Sequence, residues 1–131
     1  MSALAEIVDL EHQINDRRKS IDAANSKLRK IANEIERAKS GVEEAKVKTN
    51  FHTNNVRHMK TKADVVDIKE FAETRNHLKE AKEDLEEAKF DLSKALSEER
   101  ELADRITRCE KEIEEFRRRL SAYGRLIPFT R

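Results

Sequence analysis

From Ile7 the chain repeats itself every seven residues: Ile7, Ile14, Ile21, Leu28, Ile35, Val42, Thr49, Val56. A companion set three residues on reads Leu10, Arg17, Ala24, Ile31, Ala38, Ala45, His52, Met59. With the first set at heptad position a and the second at d, the frame runs without a stutter. A strand alternates with period two, so this pattern excludes strands and predicts a long helix with one apolar seam. A repeat of seven held this strictly imposes a left-handed supercoil on paired helices. The frame decays near its end, where Thr49 and His52 take the seam.

A second frame opens later. Its a positions are Phe71, Leu78, Leu85, Leu92, Glu99, Ile106, Ile113 and Leu120, and its d positions are Thr74, Ala81, Ala88, Ala95, Leu102, Cys109, Phe116 and Tyr123. Extended from Val56, the first frame would reach Ala63, Glu70 and His77, one residue early. The slip between Met59 and Phe71 places a turn near 60–66. Asp64 followed by Asp67 resembles a capping box, and Thr61 is a second candidate N-cap. The expected fold is all-α: a long antiparallel two-helix coiled-coil hairpin over 1–123, with arms of about 3–60 and 64–123 and a non-helical tail over 124–131. At ~1.5 Å per residue each arm would measure roughly 85–90 Å. One unbroken helix in a parallel dimer is the alternative. The hairpin is preferred because large a residues would meet alanines at d: Val42, Ile35 and Leu28 against Ala81, Ala88 and Ala95, and Leu78 and Leu85 against Ala45 and Ala38. A parallel pairing would set alanine against alanine and leave voids.

Composition enters here because the seam alone does not separate coiled coil from disorder. Charged residues make up 42% of the 131-residue chain and aromatics 5%. Combined with the heptad repeat, that balance points to long helices. Net charge is +1, so no overall field steers the chain to nucleic acid or membrane. The charge is nevertheless sorted. Residues 46–63 hold 5 basic and no acidic side chains, residues 64–115 hold 10 basic and 18 acidic, and residues 116–131 hold 5 basic and no acidic. Cys109 is the single cysteine, so no disulfide forms within one chain. The opening "MSALAEIVDL" lacks the basic start of a signal peptide, and no apolar run reaches membrane-spanning length. A cytoplasmic protein, or part of a particle assembled in the cytoplasm, is the expectation.

Five places stand out as contact candidates. In the closing stretch "AYGRLIPFTR", Gly124 sits where a C-cap glycine belongs and Pro128 ends helix. Leu126, Ile127, Pro128 and Phe129 then form an extended apolar segment. It folds back near Leu4, Ile7 and Leu10, docks as a strand in a partner, or is disordered, which would be unusual for a segment this apolar. Phe90 falls on the outer face opposite the seam, as does Val47, and an outward Phe on a charged helix suggests a second contact surface. The acid-free tip carries Lys46, Lys48, Arg57, Lys60 and Lys62 beside an outward Phe51, a composition suited to phosphate backbones, with protein contact and plain solvation as the alternatives. Val65, Val66 and Ile68 either close the tip over Val56 and Met59 or form an apolar knob. At the open end, "FRRRL" at 116–120 faces Arg17, Arg18 and Lys19, either as a basic collar or as a face neutralised by Asp16, Glu110, Glu112, Glu114 and Glu115. Arg17 and Glu99 break the apolar seam, where polar residues fix register at a cost in stability or reach out to its edge.

Catalytic chemistry has no foothold in this pattern. His12, His52, His58 and His77 contain no i, i+4 pair for a metal. Cys109 reads as a small seam hydrophobe, and the many carboxylates have no cavity to perturb them. No cofactor and no metal is expected. The expected function is that of a non-enzymatic structural or assembly protein. It would be a stiff hairpin that braces or docks within a larger complex, alone or as a homo-oligomer, through its tail and outer faces. Accessory parts of phage particles and stalks of secretion-type machines share this architecture. The alternative is a nucleic-acid-associated coiled coil using the basic tip. A client-gripping chaperone is disfavoured because the hairpin ends lack a broad apolar surface.

Overall fold

The computed structural model describes residues 2–62 and 67–124. Two α-helices account for nearly all of it, α1 (Ala3–Thr61) and α2 (Ile68–Gly124), and they pack against each other as a helical hairpin. Among the described residues there is no strand. α1 ends at Thr61, so the unbroken-helix alternative does not hold.

The helix ends are satisfied locally. The Ser2 hydroxyl oxygen accepts from the Ala5 N–H at 3.2 Å, and the Ser2 carbonyl accepts the Glu6 N–H at 3.1 Å, which makes Ser2 the N-cap of α1. At the other end of α1 the Lys62 N–H bonds three residues back to the Met59 carbonyl, and the Thr61 hydroxyl donates to the His58 carbonyl. Thr61 therefore closes α1 and does not open α2. The start of α2 is capped by Asp67, whose carboxylate accepts from the Lys69 N–H at 3.2 Å and whose carbonyl accepts the Phe71 N–H at 3.0 Å. The sequence casts Asp67 as the reciprocal partner of Asp64. It is the cap itself, while Asp64, with Val65 and Val66, lies outside the described residues. α2 begins at Ile68, four residues later than the expected 64. Ile68 does not close over the seam, since it is 85% exposed. Gly124 is the last residue of α2 and does not take the left-handed C-cap conformation, because no described glycine has positive φ.

The two helices form two compact units: Met1–Ile31 with Glu98–Arg131, and Ala32–Ser97. In the first, Leu10, Ile14, Ile113 and Phe116 are buried together, with Ile21, Leu120 and Tyr123 packed against them. Ala24, Ile31, Leu102 and Cys109 are buried as well. In the second, the buried set is Ile35, Val42, Val56, Ala81 and Ala95, together with Thr74, whose hydroxyl donates to the Glu70 carbonyl. All of these are a or d positions. Glu99 alone among the a and d residues is exposed, so this carboxylate leaves the seam for water instead of entering it.

Register differs from the expected one by a full heptad. The large-against-alanine argument sets Val42 opposite Ala81. The Thr49 hydroxyl, seven residues further along α1, is the group that meets α2 there. It stands 2.8 Å from the Ala45 carbonyl and 3.3 Å from the Ala81 carbonyl, sharing one proton between them. Carried along the frame, Val42 comes opposite Ala88 and Ile35 opposite Ala95. The cause lies at the bend: α2 starts late, so the point about which the chain folds back moves toward its C-terminus. Alanine recurs at every seventh residue from 81 to 95, so the shifted register keeps the complementarity that an alanine seam offers.

An ion pair crosses between the helices in the first unit. Arg17 Nε lies 2.6 Å from a Glu112 carboxylate oxygen, and its guanidinium carbon sits 5.7 Å from the centroid of the Phe116 ring. The arginine stem runs over the buried cluster while its head reaches the edge, as a long cation at a seam position does. The hydrogen bond to Glu112 pushes the arginine above its ordinary range, and burial opposes this. A cation raised in the folded state contributes stability throughout the range below its unfolded value and loses it only as pH rises through the raised one. This arginine therefore adds no pH dependence near neutrality. Both side chains keep a third or more of their surface, 34% and 44%. An ion pair so hydrated is worth about 0.2–1 kcal/mol, and its larger role is to disfavour other registers.

Two outcomes check this description. A double-mutant cycle over Arg17→Ala and Glu112→Ala, read by urea denaturation, should give a coupling of about 0.2–1 kcal/mol that shrinks in high salt; zero coupling at low salt would place the pair outside the native contacts. Gly41 lies inside α1, has no positive φ, and a Cβ built on it meets nothing within 4 Å. Gly41→Ala should raise stability by roughly 0.5–1 kcal/mol, and a loss on the same measurement would mean that the site is not open helix.

Candidate functional site

The seam leaves two kinds of surface for function: the outer faces of the helices, and the clefts that flank the seam where it turns polar or small. Phe90 is on the outer face of α2 and 67% exposed. Val47 and Phe51 are exposed on α1, four residues apart and hence neighbours on one helix face. Phe51 meets His52 edge-on, with ring centroids 5.3 Å apart. Leu4 and Val8, also four residues apart on α1, are exposed as well, as are Ile68 and Leu96 of α2. Leu126, Ile127, Pro128 and Phe129 lie outside the described residues.

Lys46, Lys48, Arg57, Lys60 and Lys62 are all exposed on the last turns of α1 and on the residue that follows it. Lys46 is drawn toward Glu43, 3.5 Å away. The hairpin adds what the α1 sequence does not show. Lys60 lines a groove with Arg75, Lys79 and Lys82 of α2, floored by Val56, Ala72 and Leu78 and bounded by Glu83 and Glu86. Arg75 also lies over the Phe71 ring at 5.9 Å. The acid-free segment is therefore extended across the seam by three cations from a helix that is acidic on the whole. Their spacing of three and four residues puts them on one face of α2.

At the open end, Arg18 and Arg117 line one cleft with Glu11, His12 and Asn15. The neighbouring arginines are held along their own helix: Arg118 pairs with Glu114 at 3.1 Å and Glu115 at 3.6 Å, and Arg119 with Glu115 at 3.5 Å. These pairs neutralise much of the "FRRRL" run, and Glu112 does the same for Arg17 of α1.

The folded-back chain also creates a juxtaposition that a search for i, i+4 pairs misses. His52 of α1 and His77 of α2 stand with ring centroids 5.7 Å apart and ring planes inclined at 48°. His52 is at d and His77 at g. Arg17 and Glu112 bear the same d-to-g relation, five heptads away on each helix. Twice, then, a polar d residue on α1 finds its partner at g on α2. The signal exists in the sequence, but only after the register is known. Among the described residues no group of three or more His, Cys, Asp or Glu is gathered as a metal cage, and no helix is long and apolar enough to cross a membrane.

No family model, no curated protein and no solved structure matches this chain.

Proposed function

We propose that the protein is a non-enzymatic assembly component, a helical hairpin that braces or docks within a larger complex or with further copies of itself. The observation that carries this reading is Phe90, a large aromatic side chain 67% exposed on the face turned away from the seam. Val47 and Phe51 repeat the pattern on α1. The seam already consumes the apolar a and d residues, so these side chains contribute nothing to the hairpin's own core. Each forfeits the ~1.5–3 kcal/mol that burial of a large apolar side chain brings, and contact with a second protein surface recovers it. The tail residues Leu126, Ile127, Pro128 and Phe129 belong to the same proposal on their composition alone. A virus particle or a secretion-type machine is a setting for such a part by analogy of architecture.

Substitution tests it. Phe90→Glu and the pair Val47→Glu with Phe51→Glu should leave helicity and thermal stability within about 0.5 kcal/mol of the native protein, because the positions are exposed. The same variants should lose self-association in sedimentation velocity, or lose the partner recovered with the native chain. Removal of 125–131 should do so independently if the tail is a contact. A native chain that is monomeric and partnerless, with variants indistinguishable from it, would leave the assembly reading without support.

A second reading rests on the groove formed by Lys60, Arg75, Lys79 and Lys82, together with exposed Lys46, Lys48, Arg57, Lys62 and Phe51: association with single-stranded nucleic acid. Cations that track a phosphate backbone release counterions, and an exposed ring stacks on a base. With about four phosphate contacts, affinity for a labelled oligonucleotide should fall ~50-fold between 50 and 200 mM salt. Arg75→Ala with Lys79→Ala should flatten that slope. No anisotropy change at 50 mM salt would remove this reading.

A further inference from the structure

We infer that a second copy of this chain packs on the outer face of α2, parallel to the first and related to it by a two-fold axis beside Phe90. The inference rests on the assembly reading and narrows it to one partner and one orientation.

The first observation is that charge is sorted around α2 and not only along it. Across the outer half of a heptad helix the positions follow in the order e, b, f, c, g. Phe90 is at f, on the ridge. Between Glu70 and Asp91 the cations are Arg75, Lys79, Lys82 and Lys89, and every one is at e or b. Six of the eight carboxylates, Glu70, Glu73, Glu80, Asp84, Glu87 and Asp91, are at c or g. The exceptions are Glu83 on the ridge and Glu86 at b, which holds Lys89 at 3.7 Å. All of these side chains are exposed. One flank of the ridge is therefore basic and the other acidic. α1 adds Lys60 to the basic flank, where it lines the groove with Arg75, Lys79 and Lys82.

The second observation is that the hairpin does not use these charges itself. Among the described residues, Lys60, Arg75, Lys79 and Lys82 form no ion pair with a carboxylate, and the six acids of the other flank form none with a cation. Arg75, Lys79 and Lys82 are spaced by four and three residues, as are Glu80, Asp84 and Glu87, so like charges are neighbours on each flank. That arrangement costs stability in an isolated hairpin and is relieved by opposite charge brought from outside. A polyanion would satisfy one flank and be repelled by the other. A second α2 satisfies both, in keeping with a net charge of +1.

Symmetry then selects the orientation. A two-fold axis perpendicular to α2 makes the copies antiparallel and sets basic flank on basic flank. An axis parallel to α2 sets the e and b flank of each copy against the c and g flank of the other, so both edges of the contact pair opposite charges. Phe90 meets the Phe90 of the second copy, which buries both rings. Ser93 and Ser97, three and seven residues on, continue the ridge with small side chains that let the helices approach. With the contact line through Phe90, Ser93 and Ser97, an e residue reaches the c residue five positions on in the second copy, as g reaches e in a parallel coiled coil. Lys82 thus faces Glu87, and Arg75 faces Glu80. The same rule sets Lys89 near Lys94, a repulsion that the Lys89–Glu86 bridge offsets.

The test is charge exchange in the full chain, with self-association read by sedimentation velocity and folding by circular dichroism. The native chain should dimerise, and less tightly at about 500 mM than at about 50 mM salt. Lys82→Glu and Glu87→Lys should each weaken the dimer roughly tenfold with helicity unchanged, because the two-fold axis counts every reversed pair twice. An equimolar mixture of the two variants should regain native affinity, and so should the double variant, since both restore opposite charges across the contact. Variants that associate no better mixed than apart would overturn the pairing. Orientation is read by Ser97→Cys in a Cys109→Ala chain. Residues in one layer of a parallel pair have Cα atoms within roughly 7 Å, so mild oxidation should link two copies through position 97. Preferential linkage of Ser97→Cys to Glu83→Cys would mean an antiparallel contact and overturn the inference. A native chain that is monomeric at about 1 mM would overturn it as well. If Phe90→Glu then still removed a foreign partner, the assembly reading would survive that failure. Dimers that form only when an oligonucleotide is added would give the basic flank to phosphate and also overturn the second-copy contact.

Discussion

A chain that is 42% charged has few large apolar side chains to bury, and among the described residues the buried ones all lie on one seam. That scarcity is the constraint from which the rest follows. Neither helix has a second apolar stripe, so each buries its own only against the other. Among the described residues there is no third layer in which an error of pairing is absorbed. In such a fold the choice of register decides which side chains are inside, and the seam must carry its own means of choosing.

The seam of hydrocarbon alone chooses poorly. A row of alanines at Ala81, Ala88 and Ala95 accepts large residues equally well in any of several positions one heptad apart. This degeneracy is why the complementarity of large a and small d residues identifies a hairpin and yet selects the wrong layer. Specific polar groups break the degeneracy. Arg17 meets Glu112, the Thr49 hydroxyl reaches the Ala81 carbonyl, and His52 meets His77. A slide of one heptad separates each of these partners by about 10 Å of helix, at ~1.5 Å per residue. The polar interruptions of the seam are thus the part of the sequence that states the register. Their net worth in stability is small because they remain hydrated.

What was legible in the sequence divides along the same line. Periodicity encodes which face of each helix is inside, and every a and d residue except Glu99 is buried or half-buried. Glu99 departs because a carboxylate flanked by Glu98, Arg100 and Glu101 loses less by turning to water than by desolvating beside the seam. The bend was legible only to within a few residues. No glycine or proline marks it, and Asp64, Asp67 and Thr61 all have cap chemistry. Asp67 takes the role, and four residues of uncertainty at the turn become seven in the pairing of the arms. The His52–His77 pair and the basic groove share that fate. Each joins residues whose separation in the chain has no periodic signature, so each becomes visible only after the fold-back point is fixed.

The outer faces obey a different logic. Glu and Lys at spacings of three and four, such as Glu36 with Lys39 and Glu86 with Lys89, keep helix surfaces soluble without preferring any partner. A surface built wholly this way would be inert. Phe90, Val47 and Phe51 interrupt it. An apolar side chain adds little to an isolated helix at such a position, and a polar one would keep it better hydrated. The hairpin's own folding therefore does not account for them. Function in this protein is more economically sought where the heptad rule is broken, whether by polar groups inside the seam or by apolar groups outside it, than where it is obeyed.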